Sequence, residues 1–168
     1  MQRQLRFLGD PVLRTKAEPV EQLTEDVRTL IADMFDTMYA EDGVGLAAPQ
    51  IGIGQRIIVV DPRDESVAPF ALVNPEVTAA SPELDRGEEG CLSLPGLKEI
   101  VERPARVTVT GVSRDGEPIT IDADGLLARI LQHEVDHVDG ILFIDRVSPL
   151  KRKMLLKRWE KVKPETAK

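Results

Sequence analysis

Both histidines of this chain lie in a single five-residue motif, His133-Glu134-Val135-Asp136-His137, within a stretch of helical periodicity. An α-helix turns about 100° per residue, so residues four apart project from nearly the same face, one turn above the other. Glu134 and both histidines share that face with apolar residues, namely Leu127, Ile130, Leu131, Val138 and Ile141. The opposite face carries Arg129, Gln132, Asp136 and Asp139.

An ionised carboxylate on an apolar helix face costs free energy unless a cation or a hydrogen-bond donor pairs with it. Two imidazoles one turn apart can share a metal ion, with the intervening glutamate beside it as a general base. The motif therefore predicts a buried helix that carries two metal ligands, His133 and His137, and the base Glu134. The alternative is a chance match in which both histidines are satisfied core residues.

The rest of the chain has helical patterns towards its ends and strand patterns in the middle. Apolar residues recur at helical spacing over residues 27–38, and a last amphipathic helix is predicted to begin near residue 149. Ile57–Val60 is a short apolar run typical of a buried strand, and two alternating segments flank the hairpin signal Asp115-Gly116. The predicted fold is α+β, with a mostly antiparallel sheet packed around the central HExxH helix of residues 124–140 and with N-terminal and C-terminal helices.

Length and composition indicate one cytoplasmic domain. A chain of 168 residues suits a single core, so residues 1–168 are expected to form one catalytic domain, with a basic C-terminal helix over about residues 150–168. No run approaches the roughly 18 consecutive apolar residues of a membrane span, and the first ten residues lack the apolar region of a signal peptide. Cys91 is the only cysteine, which excludes an internal disulfide and fits a reducing compartment. The expected location is the cytoplasm, or an organelle if a leader is absent from this sequence.

The C-terminal segment differs in charge from the rest of the chain. Residues 150–168 contain eight Lys or Arg against two Glu, although the whole chain has a net charge of −7. A basic segment on an acidic protein is typical of a nucleic-acid contact. The alternative is a solvated C-terminal helix without a partner.

A catalytic metal site needs a third protein ligand and an open position. The extended zinc-protease motif HExxHxxGxxH is not complete here, because Phe143 stands where its third histidine is expected. Glu160 is the leading downstream candidate, but it lies in the basic segment. Cys91 is the upstream candidate, and Gly90 before it allows a close approach of the backbone to a ligand. A thiolate favours Zn²⁺, Fe²⁺ or Co²⁺ over Mg²⁺ or Ca²⁺, whereas a lone cysteine is often a small buried apolar residue.

Three motifs in order resemble those of the peptide deformylase family, which are GxGLAAxQ, EGCLS and HExDH. This chain has GVGLAAPQ at residues 43–50, EGCLS at residues 89–93 and HEVDH at residues 133–137. The segment GDPVLR at residues 9–14 is also similar to the family's opening. The resemblance extends over about residues 6–149 and implies removal of the formyl group from the N-terminal formyl-methionine of newly made polypeptides.

The resemblance also implies roles for individual residues. Cys91, His133 and His137 are expected to bind one divalent metal ion, Fe²⁺ in the cell with Zn²⁺, Ni²⁺ or Co²⁺ as substitutes. Glu134 is expected to take a proton from the attacking water and to give it later to the leaving amine.

Further roles follow from the first two motifs. The Gln50 side chain and the Leu92 backbone N–H are expected to stabilise the oxyanion, although Gln50 alone reads equally well as a loop-capping residue. Val44 and Gly45 are expected to pair with the substrate backbone like an added strand. Val44 replaces an isoleucine common in the family, which alters the methionine pocket only slightly. Lys98 stands where some members carry an arginine, and substrate contacts there stay open.

Two other functions remain alternatives. An HExxH peptidase that cleaves internal peptide bonds requires Glu160 as third ligand and has no need of Cys91. A ribosome-binding or nucleic-acid-binding module with a structural metal uses the basic segment, but structural zinc sites usually have four protein ligands. Docking of the C-terminal helix on the ribosome is also compatible with the enzymatic function.

Overall fold

The computed structural model describes residues 1–167 and confirms the predicted α+β class. Within this range the three α-helices are α1 (Glu25–Ala40), α2 (Gly125–Val138) and α3 (Pro149–Val162). The seven strands are β1 (Gly45–Ala47), β2 (Ile57–Val60), β3 (Phe70–Ala80), β4 (Leu84–Gly90), β5 (Lys98–Pro104), β6 (Arg106–Val112) and β7 (Pro118–Asp124). No helix within these residues is both long and apolar enough to span a membrane.

The strands form two antiparallel groups. Five strands make one sheet in the order β1-β2-β3-β6-β7, and β4 pairs only with β5 in a separate ribbon. The predicted hairpin is confirmed, because β6 and β7 pair through seven residues each and Gly116 at their turn has φ +89°. β1 ends the larger sheet, so one edge of β1 has no neighbouring strand among residues 1–167.

The buried strand β2 explains how the helices are arranged. Ile58 and Val60 pack into a cluster with residues of α2, whereas Ile57 and Val59 pack into a cluster with residues of α1. Successive side chains of a strand point to opposite faces of its sheet. Because both faces of β2 are covered, the continuous apolar run Ile57–Val60 is fully buried, as the sequence predicts.

α2 is the central helix, and it contacts β1, β2, β3, β6 and β7. Every residue from 128 to 138 is buried. The sequence placed Arg129, Gln132 and Asp136 opposite the apolar face, but these side chains do not point to solvent. They are buried on a second face of the helix, where each has polar partners. The helix therefore carries two kinds of buried face, one apolar and one ion-paired.

One residue explains where α2 ends, and another explains where α3 begins. Gly140 follows α2 with φ +77°, and a Cβ there would lie 2.8 Å from the Arg14 carbonyl oxygen. It therefore serves to end the helix, as glycine often does. Ser148 caps α3 by accepting a hydrogen bond from the Lys151 backbone N–H. α3 ends at Val162, earlier than the predicted basic helix of about residues 150–168.

α3 is packed onto the protein rather than fully solvated. Leu155 and Trp159 are buried in a cluster that includes Leu94 and Leu97, which follow the EGCLS motif. The basic side chains lie mainly on the opposite, exposed side of the helix. A truncation before α3 would uncover this cluster, so it cannot separate a docking role from a folding role.

Candidate active site

One cleft is lined by residues of all three motifs, although His137 of the third motif is not among them. Its volume is about 450 Å³. α2 supplies His133 and Glu134 to its floor, and the segment after β4 supplies Cys91 and Leu92. The residues in and before β1, and the short 3₁₀ helix Ala48–Ile51, supply Val44, Gly45 and Gln50. The predicted site residues thus converge from three distant parts of the sequence.

Three donor atoms lie close enough together to share one metal ion. Cys91 Sγ is 3.3 Å from His137 Nε2, which is 3.2 Å from His133 Nε2. All three lie within 4.8 Å of one another, and this is the group of metal-binding type found among residues 1–167. A tetrahedral ion with ordinary Zn–N and Zn–S bond lengths imposes donor separations of roughly 3.4–3.6 Å. The donor set therefore fits a divalent ion in both chemistry and spacing.

The structure also separates the two candidates for the third ligand. Glu160 lies on the exposed side of α3, where it pairs with Lys163 at 2.7 Å. Cys91 is the residue that joins the histidines. The requirement of the peptidase alternative for Glu160 is therefore not met. Burial lowers the pKa of His137 well below its ordinary value, which favours the neutral imidazole that binds metals.

Glu89 is a functional residue that the sequence analysis missed. Its carboxylate accepts a hydrogen bond from His133 Nδ1 at 2.9 Å, which turns Nε2 towards the other two donors. A carboxylate on the second nitrogen of a ligating histidine fixes the tautomer and the ring orientation. Burial disfavours the charged carboxylate, but hydrogen bonds from His133 and Arg103 outweigh it and hold the pKa of Glu89 well below its usual range.

Two arginines neutralise Glu89 from the ribbon and from α2. Arg103 of β5 forms a bidentate contact with it, and Arg129 of α2 donates a hydrogen bond of 2.7 Å. Arg103 also reaches Asp136 at 2.9 Å, and Arg146 contacts the same aspartate at 2.8 Å. Removing one member of such a buried network leaves an unpaired charge. The aspartate of HEVDH is therefore part of the support of the site rather than a metal ligand.

Glu134 is buried beside the three donors, and one of its carboxylate oxygens lacks a hydrogen-bond partner among residues 1–167. Its Oε1 atom makes no hydrogen bond to any residue in the range 1–167. Burial raises the pKa of Glu134 to about 7. A carboxyl group with a pKa near neutrality can both accept and donate a proton under ordinary conditions. The geometry therefore favours a general acid–base role over a structural one.

Gln50 is fixed so that its amide nitrogen points into the site. Its Oε1 atom accepts a hydrogen bond of 2.9 Å from the Ala47 backbone N–H. Its Nε2 atom lies 3.1 Å from Ser93 Oγ and 3.5 Å from Cys91 Sγ. The oxygen end of the Gln50 amide therefore caps the loop. The nitrogen end points towards Cys91 and Ser93, and its role as a donor to an oxyanion stays a prediction.

The comparisons with known proteins agree on one family. Residues 2–153 match the family model described as polypeptide deformylase. A peptide deformylase of Thermodesulfovibrio yellowstonii is 49% identical over 159 residues, which cover 94% of this chain and 96% of that protein. The crystal structure of a peptide deformylase from Legionella pneumophila is 46% identical, with a TM-score of 0.92 over 100% of this chain and 99% of that one.

A third similar protein was solved as a complex. This peptide deformylase, from Synechococcus elongatus, is described as a complex with actinonin. It is 43% identical, with a TM-score of 0.88, over 98% of this chain and 90% of that chain. Both the sequence and the fold of this chain are therefore similar to the same group of proteins over nearly its whole length.

Proposed function

Because the chain belongs to the polypeptide deformylase family, we propose that it hydrolyses the formyl group from the N-terminal formyl-methionine of newly made polypeptides. The observation that carries this proposal is the arrangement of Cys91, His133 and His137 around one point, with the partner-free Glu134 oxygen beside them. Water is the second substrate, and the products are formate and a free α-amine.

The three donors are proposed to hold one divalent ion, Fe²⁺ in the cell, with Zn²⁺, Ni²⁺ or Co²⁺ as substitutes. One thiolate and two imidazoles suit these metals better than Mg²⁺ or Ca²⁺, which prefer oxygen ligands. When bound, such an ion is a Lewis acid that can bring the pKa of a water molecule to around 7. Glu89 supports this role by orienting His133.

Glu134 is proposed to move the proton. Its free oxygen is available to accept a proton from the attacking water, and the same carboxyl group can then donate that proton to the departing amine nitrogen. The pKa of about 7 that burial gives Glu134 suits both directions of transfer.

Gln50 and the Leu92 backbone N–H are proposed to stabilise negative charge on the formyl oxygen. Gln50 Nε2 is held by the bond from Ala47 to the other end of its amide, so its direction is fixed before the substrate binds. One preorganised donor of this kind contributes about 10²–10³ in rate. Because the Gln50 amide carries no charge, it can donate a hydrogen bond to the formyl oxygen without displacing a ligand of the metal ion.

The free edge of β1 is proposed to receive the peptide backbone. Val44 and Gly45 line the cleft at this edge, which has no neighbouring strand. An extended peptide can add to such an edge through main-chain hydrogen bonds. The backbone of the peptide is thereby aligned along Val44 and Gly45.

Gly45→Ala is expected to reduce activity because of one close approach. A Cβ at Gly45 would lie 2.6 Å from Glu134 Oε2 and 3.0 Å from Ile130 Cγ2, so the carboxylate must move. We expect kcat/KM for formyl-Met-Ala-Ser to fall about 10²-fold, as for other small misplacements of a catalytic group. Gly54→Ala is the matched control, because a Cβ there meets nothing within 4 Å. Equal kinetics for the two variants would contradict this packing argument.

The proposed reaction is tested against internal peptide cleavage on matched peptides. The protein is purified anaerobically, loaded with Fe²⁺ or Ni²⁺, and given formyl-Met-Ala-Ser or an N-acetylated peptide that contains the same residues. We expect formate release from the first peptide and no cleavage within either chain, as followed by mass spectrometry. Cleavage inside the acetylated peptide without formate release from the first would favour the peptidase alternative.

We further propose that residues 1–168 act as one catalytic domain in the compartment where formylated chains are made. We also propose that α3 contacts the ribosome. Three exposed lysines, Lys153, Lys157 and Lys161, are spaced four residues apart on α3. Each lies free of ion pairs with residues 1–167, unlike Lys151 and Lys163. Such a row of cations suits the phosphates of ribosomal RNA.

The ribosome contact is tested by charge reversal, because truncation would uncover Leu155 and Trp159. In the triple variant Lys153→Glu, Lys157→Glu, Lys161→Glu we expect ribosome affinity to fall at least about 10-fold and its salt dependence to weaken by about 2–3 units of slope. The control reverses Lys16, Arg86 and Arg114, which are also exposed. Hydrolysis of formyl-Met-Ala-Ser is expected to be unchanged in both. Equal loss of ribosome binding in both variants would contradict a contact through α3.

A further inference from the structure

The edge that carries Val44 and Gly45 is held in place by the segment that leaves β2. The Asp61 backbone N–H donates a hydrogen bond of 2.8 Å to the Val44 carbonyl oxygen. Arg63 Nη2 donates a hydrogen bond of 3.0 Å to the Gly43 carbonyl oxygen. Two consecutive carbonyls next to the peptide-binding edge are therefore fixed from outside the cleft.

Arg63 is itself positioned by contacts on several sides. Its guanidinium carbon lies 5.1 Å from the centre of the Tyr39 ring, a separation typical of a cation–π contact. Its backbone N–H donates to Asp61 Oδ1 at 2.9 Å, and the Tyr39 hydroxyl donates to Asp61 Oδ2 at 2.7 Å. The Asp42 Oδ1 atom lies 3.8 Å from Arg63 Nη2. This group of Tyr39, Asp42, Asp61 and Arg63 is called the Arg63 clamp below.

The backbone of the clamp is strained at two non-glycine residues. Asp42 has φ +56° and Arg63 has φ +60°, both in the left-handed region that L-residues rarely adopt. Such conformations persist only where the surrounding contacts enforce them, and they concentrate at functional sites. Gly43 lies directly after Asp42, and a Cβ at Gly43 would lie 2.9 Å from Leu92 Cδ1. Gly43 therefore packs directly against Leu92, which also lines the cleft.

We propose that Arg63 is a positioning residue for substrate binding, which fixes the Gly43–Val44 edge in the conformation that receives the peptide beyond its formyl-methionine. This inference rests on the proposed function. Arg63, Tyr39 and Asp61 do not line the cleft, so Arg63 acts through the Gly43 carbonyl. Its loss is expected to weaken binding of the peptide backbone and to leave the chemical step intact.

Substitution of Arg63 is expected to change the kinetic constants for a longer substrate more than those for a shorter one. For Arg63→Ala we expect the KM for formyl-Met-Ala-Ser to rise about 10-fold, with kcat within about 2-fold, as when binding to ground state and transition state is lost equally. We expect kcat/KM for formyl-Met amide, which has no backbone beyond methionine, to change less than about 3-fold. Arg63→Lys should recover part of the loss, because an ammonium group can still donate to the Gly43 carbonyl.

The control is Arg114→Ala, an exposed arginine at the β6–β7 turn, which should change neither substrate's kinetics. Because the Arg63 side chain is 44% exposed, the Arg63 variants are expected to stay folded. Their unfolding midpoints check this expectation. Arg63→Gln replaces any variant that does not fold. Equal losses on the two substrates, or a fall in kcat at unchanged KM, would overturn the positioning role. Absence of formate release by the metal-loaded wild-type protein would instead contradict the proposed function on which it rests.

Discussion

Glu134→Gln is expected to lower kcat for formate release by about 10²–10⁴-fold, the range that general acid–base catalysis usually contributes. Glutamine has nearly the same shape as glutamate but can neither accept the proton from water nor return it to the amine. The bound ion should stay in place, because the three donors proposed for it are Cys91, His133 and His137. Metal content and kcat measured on the same preparation separate these two effects.

A matched control for this variant is Glu160→Gln, which changes an exposed glutamate on α3. It should leave both kcat and metal content unchanged. The stability of Glu134→Gln should not fall, because the substitution removes a buried carboxylate whose Oε1 atom lacks a partner among residues 1–167. A kcat within 10-fold of wild type at full metal content would contradict the role given to Glu134.

Cys91→Ala is expected to weaken metal binding by more than about 100-fold, since even an outer partner of a metal ligand contributes 10- to 100-fold to affinity. The variant removes the thiolate that lies 3.3 Å from His137 Nε2 and leaves two imidazoles. Activity should be lost in parallel. Competition with a chromophoric chelator measures the affinity, and the Co²⁺ spectrum should lose its thiolate-to-metal absorption.

Glu89→Gln provides a graded comparison for this second prediction. It keeps Cys91 but weakens the hydrogen bond that orients His133. We expect a loss of metal affinity of about 10- to 100-fold, smaller than that of Cys91→Ala. Full metal affinity in Cys91→Ala would mean that Cys91 is not a ligand.

The fold and the donor set could be predicted because their signals are local or carried by motifs. The helical period of residues 27–38, the apolar run Ile57–Val60 and the turn at Asp115-Gly116 each report local structure, and each is confirmed. His133 and His137 are four residues apart on one helix, so their shared face follows from helix geometry alone. Cys91 required the family resemblance, because its sequence separation from His137 gives no geometric information.

The support of the site could not be predicted, since its partners are distant in sequence. Arg129 and Glu89 are 40 residues apart, and Arg103 and Asp136 are 33 residues apart. Residues on the polar side of an amphipathic helix are expected in solvent. The ribbon of β4 and β5, together with Arg146, makes that side of α2 a buried face. Glu89 lies inside the EGCLS motif, but its hydrogen bond to His133 depends on how the ribbon packs against α2.

The same limit applies to α3 and to the Arg63 clamp. The sequence showed the basic residues of the C-terminal segment but not that Leu155 and Trp159 close a core cluster beneath them. Arg63 reaches Gly43 across 20 residues of sequence, with a backbone conformation unusual for arginine. No local pattern signals that contact.

The most direct test of the proposed reaction is formate release measured against the number of bound metal ions. Metal-free protein is titrated anaerobically with Ni²⁺, and release from formyl-Met-Ala-Ser is followed at each step. We expect the rate to rise in proportion to bound metal, to level off at about one ion per chain as one three-donor site requires, and to vanish with a chelator. Full release from metal-free protein, or no release with one ion bound, would contradict the function assigned to Cys91, His133, His137 and Glu134.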